Sequence, residues 1–149
     1  MATRSALNTL IDLANKDADE AAKRLGEVLR ACEEASQKLE LLQQYRDDYA
    51  QRCQTSLSNG ISATHFNNFR VFMQKLDHAI VGQQTVVSHA NQRAEQARVV
   101  WQVCEQKKMS FVTLSDRANK EDARREVWRD QKQNDEHAAR CVSHKRDHS

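Results

Sequence analysis

The feature that most constrains this chain is a repeat of apolar residues spaced alternately four and three apart. In the segment before residue 59 only Arg46 interrupts the repeat. A mean spacing of 3.5 residues is the period of a coiled-coil helix and differs from the two-residue period of a half-buried strand. The pattern therefore predicts one long amphipathic helix. Its apolar stripe consists of Leu7, Ile11, Ala14, Ala18, Ala21, Leu25, Val28, Cys32, Ala35, Leu39, Leu42, Tyr49 and Cys53.

The same repeat resumes after residue 65, with interruptions at Gln83 and Lys108. It predicts a second long helix, because a strand would not keep this period. Its apolar stripe consists of Phe66, Phe69, Met73, Leu76, Ile80, Val87, Ala90, Ala94, Ala97, Trp101, Cys104 and Phe111.

Proline and glycine are nearly absent, which leaves little room for loops. The 149 residues include no proline and three glycines, whereas average proteins contain about 5% proline and about 7% glycine. We therefore expect an all-α fold. Gly26 and Gly82 lie off the stripes, and nothing in the sequence explains them.

The strongest turn signal, Asn59-Gly60, lies between the two stripes. Gly60 can adopt the left-handed conformation that ends a helix, and Ile61 can cover the last turn. Ser62 can accept a backbone N–H as the N-cap of the second helix. A capping box would place Glu where His65 stands, so the cap is expected to be incomplete.

Two long helices joined by a short turn must run antiparallel. We predict a single coiled-coil hairpin over residues 1–149, in which facing residues have numbers that sum to 122. Trp101 then faces Ala21, and Leu25 faces Ala97. The expected elements are helix 1 at about 5–57, a hinge at about 58–62, helix 2 at about 63–139 and a polar tail at 140–149.

The predicted arms differ in length, so helix 2 should overhang beyond about Ala118. The overhang is rich in charged residues but carries Val127 and Trp128, which have no facing helix to cover them. Isolated exposed apolar residues are common on protein surfaces. Two interpretations therefore stay open here, a surface residue without a role and a partner contact.

A second apolar group lies outside the stripes near the hinge. Tyr45, Phe72 and Ala79 flank the seam on one side, next to seam positions occupied by Leu42, Tyr49 and Leu76. A wider seam would explain part of this group. Exposed tyrosine and phenylalanine beside a two-helix seam are also typical of a partner-binding hot spot.

Several functional classes find no support in the sequence. The net charge of +2 comes from interspersed charges, so we expect no nucleic-acid partner. Phosphate-binding loops and zinc-protease motifs are absent, and we expect no enzyme activity and no cofactor. We find no leader and no transmembrane segment, so we expect a cytoplasmic protein whose four cysteines are thiols.

One group of residues near the end has metal-ligand chemistry. His137, Cys141, His144 and His148 recur at helical spacing and would share one face of a continuous helix. The competing interpretation is a polar terminal segment without a metal, which we favour because terminal segments tend to fray.

Four stretches, taken in order, resemble the FliJ family of the flagellar type III export apparatus. They are LNTLIDLANKDADEAAKRLGE at the start, LLQQYRDDY before the bend, NGIS at the bend and FMQKLDHAI after it. The resemblance runs from Leu7 to about Asp135. It implies an antiparallel coiled coil that acts as a stalk in the hexameric export ATPase ring, contacts the FlhA transport gate and escorts unloaded export chaperones.

The resemblance also implies two binding surfaces. The implied gate-binding residues are Leu42, Tyr45, Tyr49, Phe72, Leu76 and Ala79. The implied ring-facing residues are Leu7, Leu10, Ile11, Arg124, Arg125, Val127 and Trp128. Lys38 and Gln83 match neighbouring family positions less well, and the tail after Arg140 has no counterpart in the family.

These implications predict a non-enzymatic component that couples the ATPase to the gate and is held at the inner membrane, at the flagellar base, through its partners. One alternative is a general cytoplasmic coiled-coil export chaperone or adaptor that needs no ATPase. Another is a metal-responsive regulator, which would need His137 and Cys141 to bind zinc or copper.

Overall fold

The computed structural model describes residues 2–148, which form two long helices, α1 (Ala2–Ser58) and α2 (Ala63–Asp147). The described part of the chain contains no strand. The helices pack as an antiparallel coiled-coil hairpin whose second helix overhangs at its C-terminal end, which confirms the predicted fold class.

Contacts within the chain define two compact units, each built from parts of both helices. The hinge unit is Asp17–Cys104, and the terminal unit combines Met1–Lys16 with Glu105–Ser149. The division of the chain into domains stays a prediction.

The buried residues of both units lie on the two predicted stripes or at the positions that interrupt them. In the hinge unit they are Ala18, Ala21, Cys32, Ala35, Leu76, Ile80, Gln83, Ala94 and Ala97, and in the terminal unit Ala14. Most of them are small, so the two backbones approach closely. The other predicted positions are half-buried except Phe66, which is 44% exposed. Its predicted burial is wrong because it lies in the first turn of α2, where the seam ends.

Contacts across the seam of the hinge unit agree with the predicted register. The Arg46 guanidinium contacts Asp77, and the Tyr49 ring lies 5.1 Å from the Phe69 ring between centroids. The residue numbers in these two pairs sum to 123 and 118, and those of Tyr49 and Phe72, whose rings also contact each other, sum to 121. The mean of the three sums lies within two of the predicted 122, whereas a shift of one heptad would move it by seven.

Gln83 interrupts the apolar stripe yet is only 9% exposed. Its side-chain Nε2 donates a hydrogen bond of 3.0 Å to the backbone carbonyl oxygen of Ala35 on the facing helix. A buried amide needs such a partner, because an unpaired polar group in an apolar seam is destabilising by about 1–3 kcal/mol. This hydrogen bond therefore fixes the local alignment of the helices.

The terminal unit pairs slightly further along α2 than the sequence predicted. The Arg4 guanidinium donates a hydrogen bond of 2.6 Å to the side chain of Asn119 and forms an ion pair of 2.7 Å with Asp122. This extension arises because α1 starts at Ala2 rather than near residue 5. Residues 119–148 are all exposed, so the overhang itself is confirmed.

The hinge has the predicted chemistry. Gly60 has a φ of 80°, the left-handed conformation expected at the end of α1. The Ser62 hydroxyl accepts a hydrogen bond of 3.2 Å from the backbone N–H of His65, which confirms Ser62 as the N-cap of α2. Ile61 is half-buried.

The segment predicted as a polar tail is helical, since α2 continues to Asp147. Its last turn carries His144, Lys145 and Arg146, whose basic side chains suit the negative end of the helix dipole. No glycine or proline ends the helix before this point.

Substituting two of the glycines should change stability in opposite directions. Gly60→Ala should lower the free energy of unfolding by about 1–2 kcal/mol, because a Cβ disfavours the left-handed backbone. Gly82→Ala should raise it by about 1 kcal/mol, because its Cβ would meet nothing within 4 Å and alanine favours helix. Urea unfolding followed by circular dichroism measures both, and shifts of the same sign would contradict this account.

Candidate functional site

The apolar group near the hinge lies on one flank of the hinge unit. Tyr45, Phe72 and Ala79 each directly precede a seam residue, and in an antiparallel pair such positions on the two helices share one side. We call these three residues the aromatic flank. Tyr45 is 56% exposed, Phe72 is 37% exposed and Ala79 is exposed.

Aromatic contacts anchor this flank to the seam. The Tyr49 ring is half-buried and lies 4.4 Å from the Phe72 ring and 5.1 Å from the Phe69 ring, tilted in both cases. Ring pairs at such distances add about 0.5–1.5 kcal/mol beyond simple burial. No ring contact involves Tyr45 in the described structure. Phe72 is therefore held in place, whereas Tyr45 projects from the surface.

The six predicted gate-binding residues thus divide into two classes. Leu42, Tyr49 and Leu76 are buried or half-buried and belong to the seam. The aromatic flank is accessible to a partner. All six lie within the hinge unit, where Tyr49 supports Phe72 through a ring contact.

The opposite flank of the hinge unit carries an ion pair. The Arg46 side-chain Nε donates a hydrogen bond of 2.5 Å to the carboxylate of Asp77, and both side chains are substantially exposed. This hydrogen bond, together with the negative charge of Asp77, raises the pKa of the Arg46 guanidinium above its usual value. The pair explains why arginine interrupts the first stripe, because the guanidinium leaves the seam to reach Asp77.

Among the exposed apolar residues that sequence reasoning missed, Leu41 lies beside the aromatic flank. Leu41 is 63% exposed and lies one helical turn before Tyr45 on α1. It was missed because it belongs to neither the stripe nor the flank positions. The signal that could have found it is its spacing, because a residue four positions before Tyr45 shares a face of the helix with it. Val81, which is 60% exposed, is a comparable residue elsewhere on α2.

The predicted ring-facing residues all lie in the terminal unit. Leu7 and Ile11 are half-buried seam residues, whereas Leu10 is 43% exposed beside them. Val127 and Trp128 on the overhang are 66% and 63% exposed. The residues near the start of α1 therefore lie on a surface that the seam supports. Val127 and Trp128 lie on a surface formed by a single helix.

Charged side chains surround Trp128. The Lys132 ammonium lies 5.2 Å from the centre of the indole ring, within range of a cation–π interaction. Arg125 forms an ion pair of 3.0 Å with Glu121, and Arg124 is exposed. A shallow surface depression is lined by Arg117, Lys120, Glu121, Arg124, Arg125 and Trp128. This surface suits a partner with both charged and apolar groups.

The histidine-rich end of α2 shows two pairwise contacts. The Cys141 sulfur lies 3.8 Å from Nε2 of His137, and the rings of His144 and His148 are 4.5 Å apart between centroids. Within residues 2–148 the structure holds no group of three or more His, Cys, Asp or Glu side chains arranged to bind a metal. The four candidate ligands therefore lie on one helix without forming a site.

No helix in the described part of the chain combines the length and apolar character that crossing a bilayer requires.

Comparison with known proteins gives a consistent result. Residues 3–147 match the model of a family described as Flagellar FliJ protein. The Flagellar FliJ protein of Salmonella typhi is 34% identical over 145 residues, covering 97% of this chain and 99% of that protein. The Flagellar FliJ protein of Escherichia coli K12 is 32% identical over the same length and coverage. A solved structure described as that of a YscO homologue from Chlamydia trachomatis is 15% identical to this chain, with a TM-score of 0.49. The aligned region covers 91% of this chain and 88% of the other chain.

Replacing each of the two tyrosines by alanine should distinguish the one that stabilises the seam from the one that is only exposed. Tyr49→Ala should lower the free energy of unfolding by about 2–3 kcal/mol, because it removes two ring contacts and leaves a gap in the seam. Tyr45→Ala should change it by less than about 1 kcal/mol, because an exposed side chain loses little on truncation. Urea unfolding of both variants tests this, and equal losses would show that Tyr45 is also structural.

Proposed function

This chain belongs to the Flagellar FliJ protein family and is a component of the flagellar export apparatus, and within that apparatus we propose that it acts as a non-catalytic stalk. In this role the hinge unit binds the FlhA transport gate. The terminal unit binds the hexameric export ATPase, promotes ring formation and stimulates its activity.

The observation that carries the proposal is the exposure of Tyr45 and Phe72 beside a seam whose buried positions are filled by other residues. The seam of the hinge unit is already closed by small buried residues such as Ala35 and Ala94. Neither ring lies among those buried residues: Tyr45 makes no ring contact in the described structure, and Phe72 packs against Tyr49 while 37% of it stays exposed. Both rings supply large, semi-rigid contact area, which is what binding hot spots use.

The second surface has its own support. Val127 and Trp128 lie on the overhang, where α2 has no facing helix, among arginine and lysine side chains. A tryptophan held by a neighbouring cation is a suitable anchor for a protein interface. We propose that this overhang and the neighbouring Leu7, Leu10 and Ile11 enter the ATPase ring.

The proposed mechanism is mechanical coupling. One hairpin cannot contact six identical subunits in the same way, so its contacts in the ring must differ from subunit to subunit. Unequal contacts favour some conformations over others and so alter nucleotide binding or hydrolysis at particular subunits. The gate contact links this asymmetry to transport. Escort of export chaperones, and a peripheral position at the inner membrane through these partners, belong to the same proposal.

The alternative is a general export chaperone or adaptor that binds its substrates without an ATPase. Turnover and oligomerisation of the purified cognate ATPase, measured with and without this protein, distinguish the two. Stimulation supports the stalk, and no effect on either quantity would favour the adaptor.

Removing both exposed rings should weaken gate binding. The double variant Tyr45→Ala with Phe72→Ala should raise the Kd for purified FlhA by about tenfold or more, because hot-spot truncations cost over about 1 kcal/mol each. Stimulation of the ATPase should be unchanged. The matched control replaces the sequence neighbours Gln44 and Val71 by alanine, since both are exposed on the outer faces of their helices. Equal affinity of the double variant and the control would remove the aromatic flank from the proposal.

Substitutions on the overhang should have the opposite effect. Val127→Ser with Trp128→Ala should reduce stimulation of the ATPase severalfold while leaving FlhA affinity unchanged, because these side chains support no seam. Val142→Ser is a matched control, because Val142 is 56% exposed further along the same helix. Steady-state ATP turnover is the measurement, and full stimulation by the double variant would contradict the proposed ring contact.

A further inference from the structure

We propose that α2 carries a face to which a second copy of this chain binds, with its own α2 running antiparallel along the first. The face consists of the residues that recur every seven positions from Phe72 to Val142, which we call the α2 row. A contact of this kind requires neither the proposed gate contact nor the proposed ring contact.

The α2 row alternates between large apolar side chains and other side chains. Residues seven apart lie about two helical turns apart, and a supercoiled helix keeps them facing one partner. Every second member is a large apolar residue, and these members are Phe72, Val86, Val100, Leu114, Trp128 and Val142. The members between them are Ala79, Arg93, Lys107, Glu121 and Asp135. All members are exposed, the large apolar ones by 37% to 63%. A line of exposed apolar side chains is typical of contact with another chain.

The order of the apolar members identifies a second copy as the occupant. In an antiparallel pair with two-fold symmetry, each residue faces the residue whose number completes a constant sum. With a sum of 228, Leu114 lies at the symmetry axis and faces Leu114 of the second copy. Val100 then faces Trp128, and Val86 faces Val142. Large apolar side chains thus meet at each of these positions. While the dimer persists, Trp128 is covered and is not available to another partner.

The charged members of the α2 row select the antiparallel direction. The basic members, Arg93 and Lys107, precede Leu114, and the acidic members, Glu121 and Asp135, follow it. At the same sum of 228, Lys107 faces Glu121 and Arg93 faces Asp135. A parallel copy in register would instead place like charges opposite each other. Charges that flank a contact between helices determine the partner and its orientation in this way.

These charged side chains are available to a second copy. Arg93, Lys107 and Asp135 form no ion pair within 4.0 Å in the described part of the chain. Arg125 contacts one carboxylate oxygen of Glu121 at 3.0 Å, which leaves the other oxygen for a lysine. An exposed ion pair of this kind contributes little stability by itself. Sharing Glu121 with a second copy therefore costs little.

The basic residues beside the α2 row do not oppose this pairing. Residues three or four positions from a member share its face of the helix. At the sum of 228, Arg117 faces Phe111 and Arg124 faces Cys104 of the second copy. The other basic residues at such positions from 82 to 146 also face uncharged residues, and they are Arg125, Lys132, Lys145 and Arg146. Like charges therefore do not face each other at these positions.

A charge swap tests the pairing, with sedimentation equilibrium of the reduced full-length protein as the measurement. Lys107→Glu places like charges opposite each other on both sides of the axis, so it should raise the Kd of the dimer by about tenfold. The double variant Lys107→Glu with Glu121→Lys restores opposite charges and should return the Kd to within about threefold of the natural value. The control Arg140→Glu makes the same charge change on the far side of α2 and should alter the Kd by less than about twofold.

A cysteine at the symmetry axis tests the register. Under mild oxidation Leu114→Cys should form a disulfide between residues 114 of the two copies, because this residue faces itself only at the sum of 228. Val99→Cys is the matched control, because Val99 and Leu114 are each 49% exposed and Val99 lies off the α2 row. It should form no disulfide between residues 99. Peptide mass mapping distinguishes these links from those of the natural cysteines, and circular dichroism establishes that each variant stays helical.

Each outcome decides the matter. A natural chain that stays monomeric up to about 0.1 mM would overturn the dimer, because a contact of this extent should bind more tightly. A dimer that Lys107→Glu leaves unchanged, or that the double variant fails to restore, would show that another surface is used. Weakening by the first variant, recovery by the second and the link at residue 114 together support the α2 row. Loss of the dimer would leave the proposed stalk function standing, since ATP turnover measures that function separately.

Discussion

The structure depends on the burial of small side chains between two helices that have no other support. An isolated helix gains little stability in water, so α1 and α2 persist because each covers the apolar stripe of the other. In the hinge unit this contact is made largely by alanine, with Ala18 almost completely buried. Small residues allow close approach, and close approach in turn lets the side chain of Gln83 reach the backbone of Ala35. Changes that widen the seam would therefore disturb both the packing and the polar contact.

A seam of this kind determines where function can reside. Two helices meet along a narrow seam, so the side chains that a partner can reach lie on the flanks and on the overhang. The two flanks of the hinge unit differ, since one carries Tyr45 and Phe72 and the other carries the ion pair between Arg46 and Asp77. The two flanks therefore suit partners of different chemistry. A partner that recognises aromatic side chains would bind the flank of Tyr45 and Phe72, and the proposed gate contact uses that flank.

Much of this could be predicted from the sequence, because a coiled-coil period specifies both which residues are buried and which residues face each other. The hinge was equally predictable, since Gly60 and Ser62 act through local backbone chemistry. The end of α2 was not, because the sequence after Arg140 gives no stop signal and a helix can continue as far as its residues permit. The partner of Arg46 was missed because a long side chain can leave the stripe in several directions. Leu41 was missed because a search for stripes passes over residues on the outer face.

The hydrogen bond from Gln83 has a consequence for motion along the helix axes. An all-apolar seam resists separation but offers less resistance to slippage, because one apolar side chain can replace another in the same space. The Gln83 amide donates to the main-chain carbonyl of Ala35, so a small slide of α2 along α1 would break this hydrogen bond and leave a buried polar group without its partner. The hydrogen bond thereby opposes small displacements of the two helices of the hinge unit along their axes. An axial force applied to one helix of this unit would therefore be transmitted to the other helix.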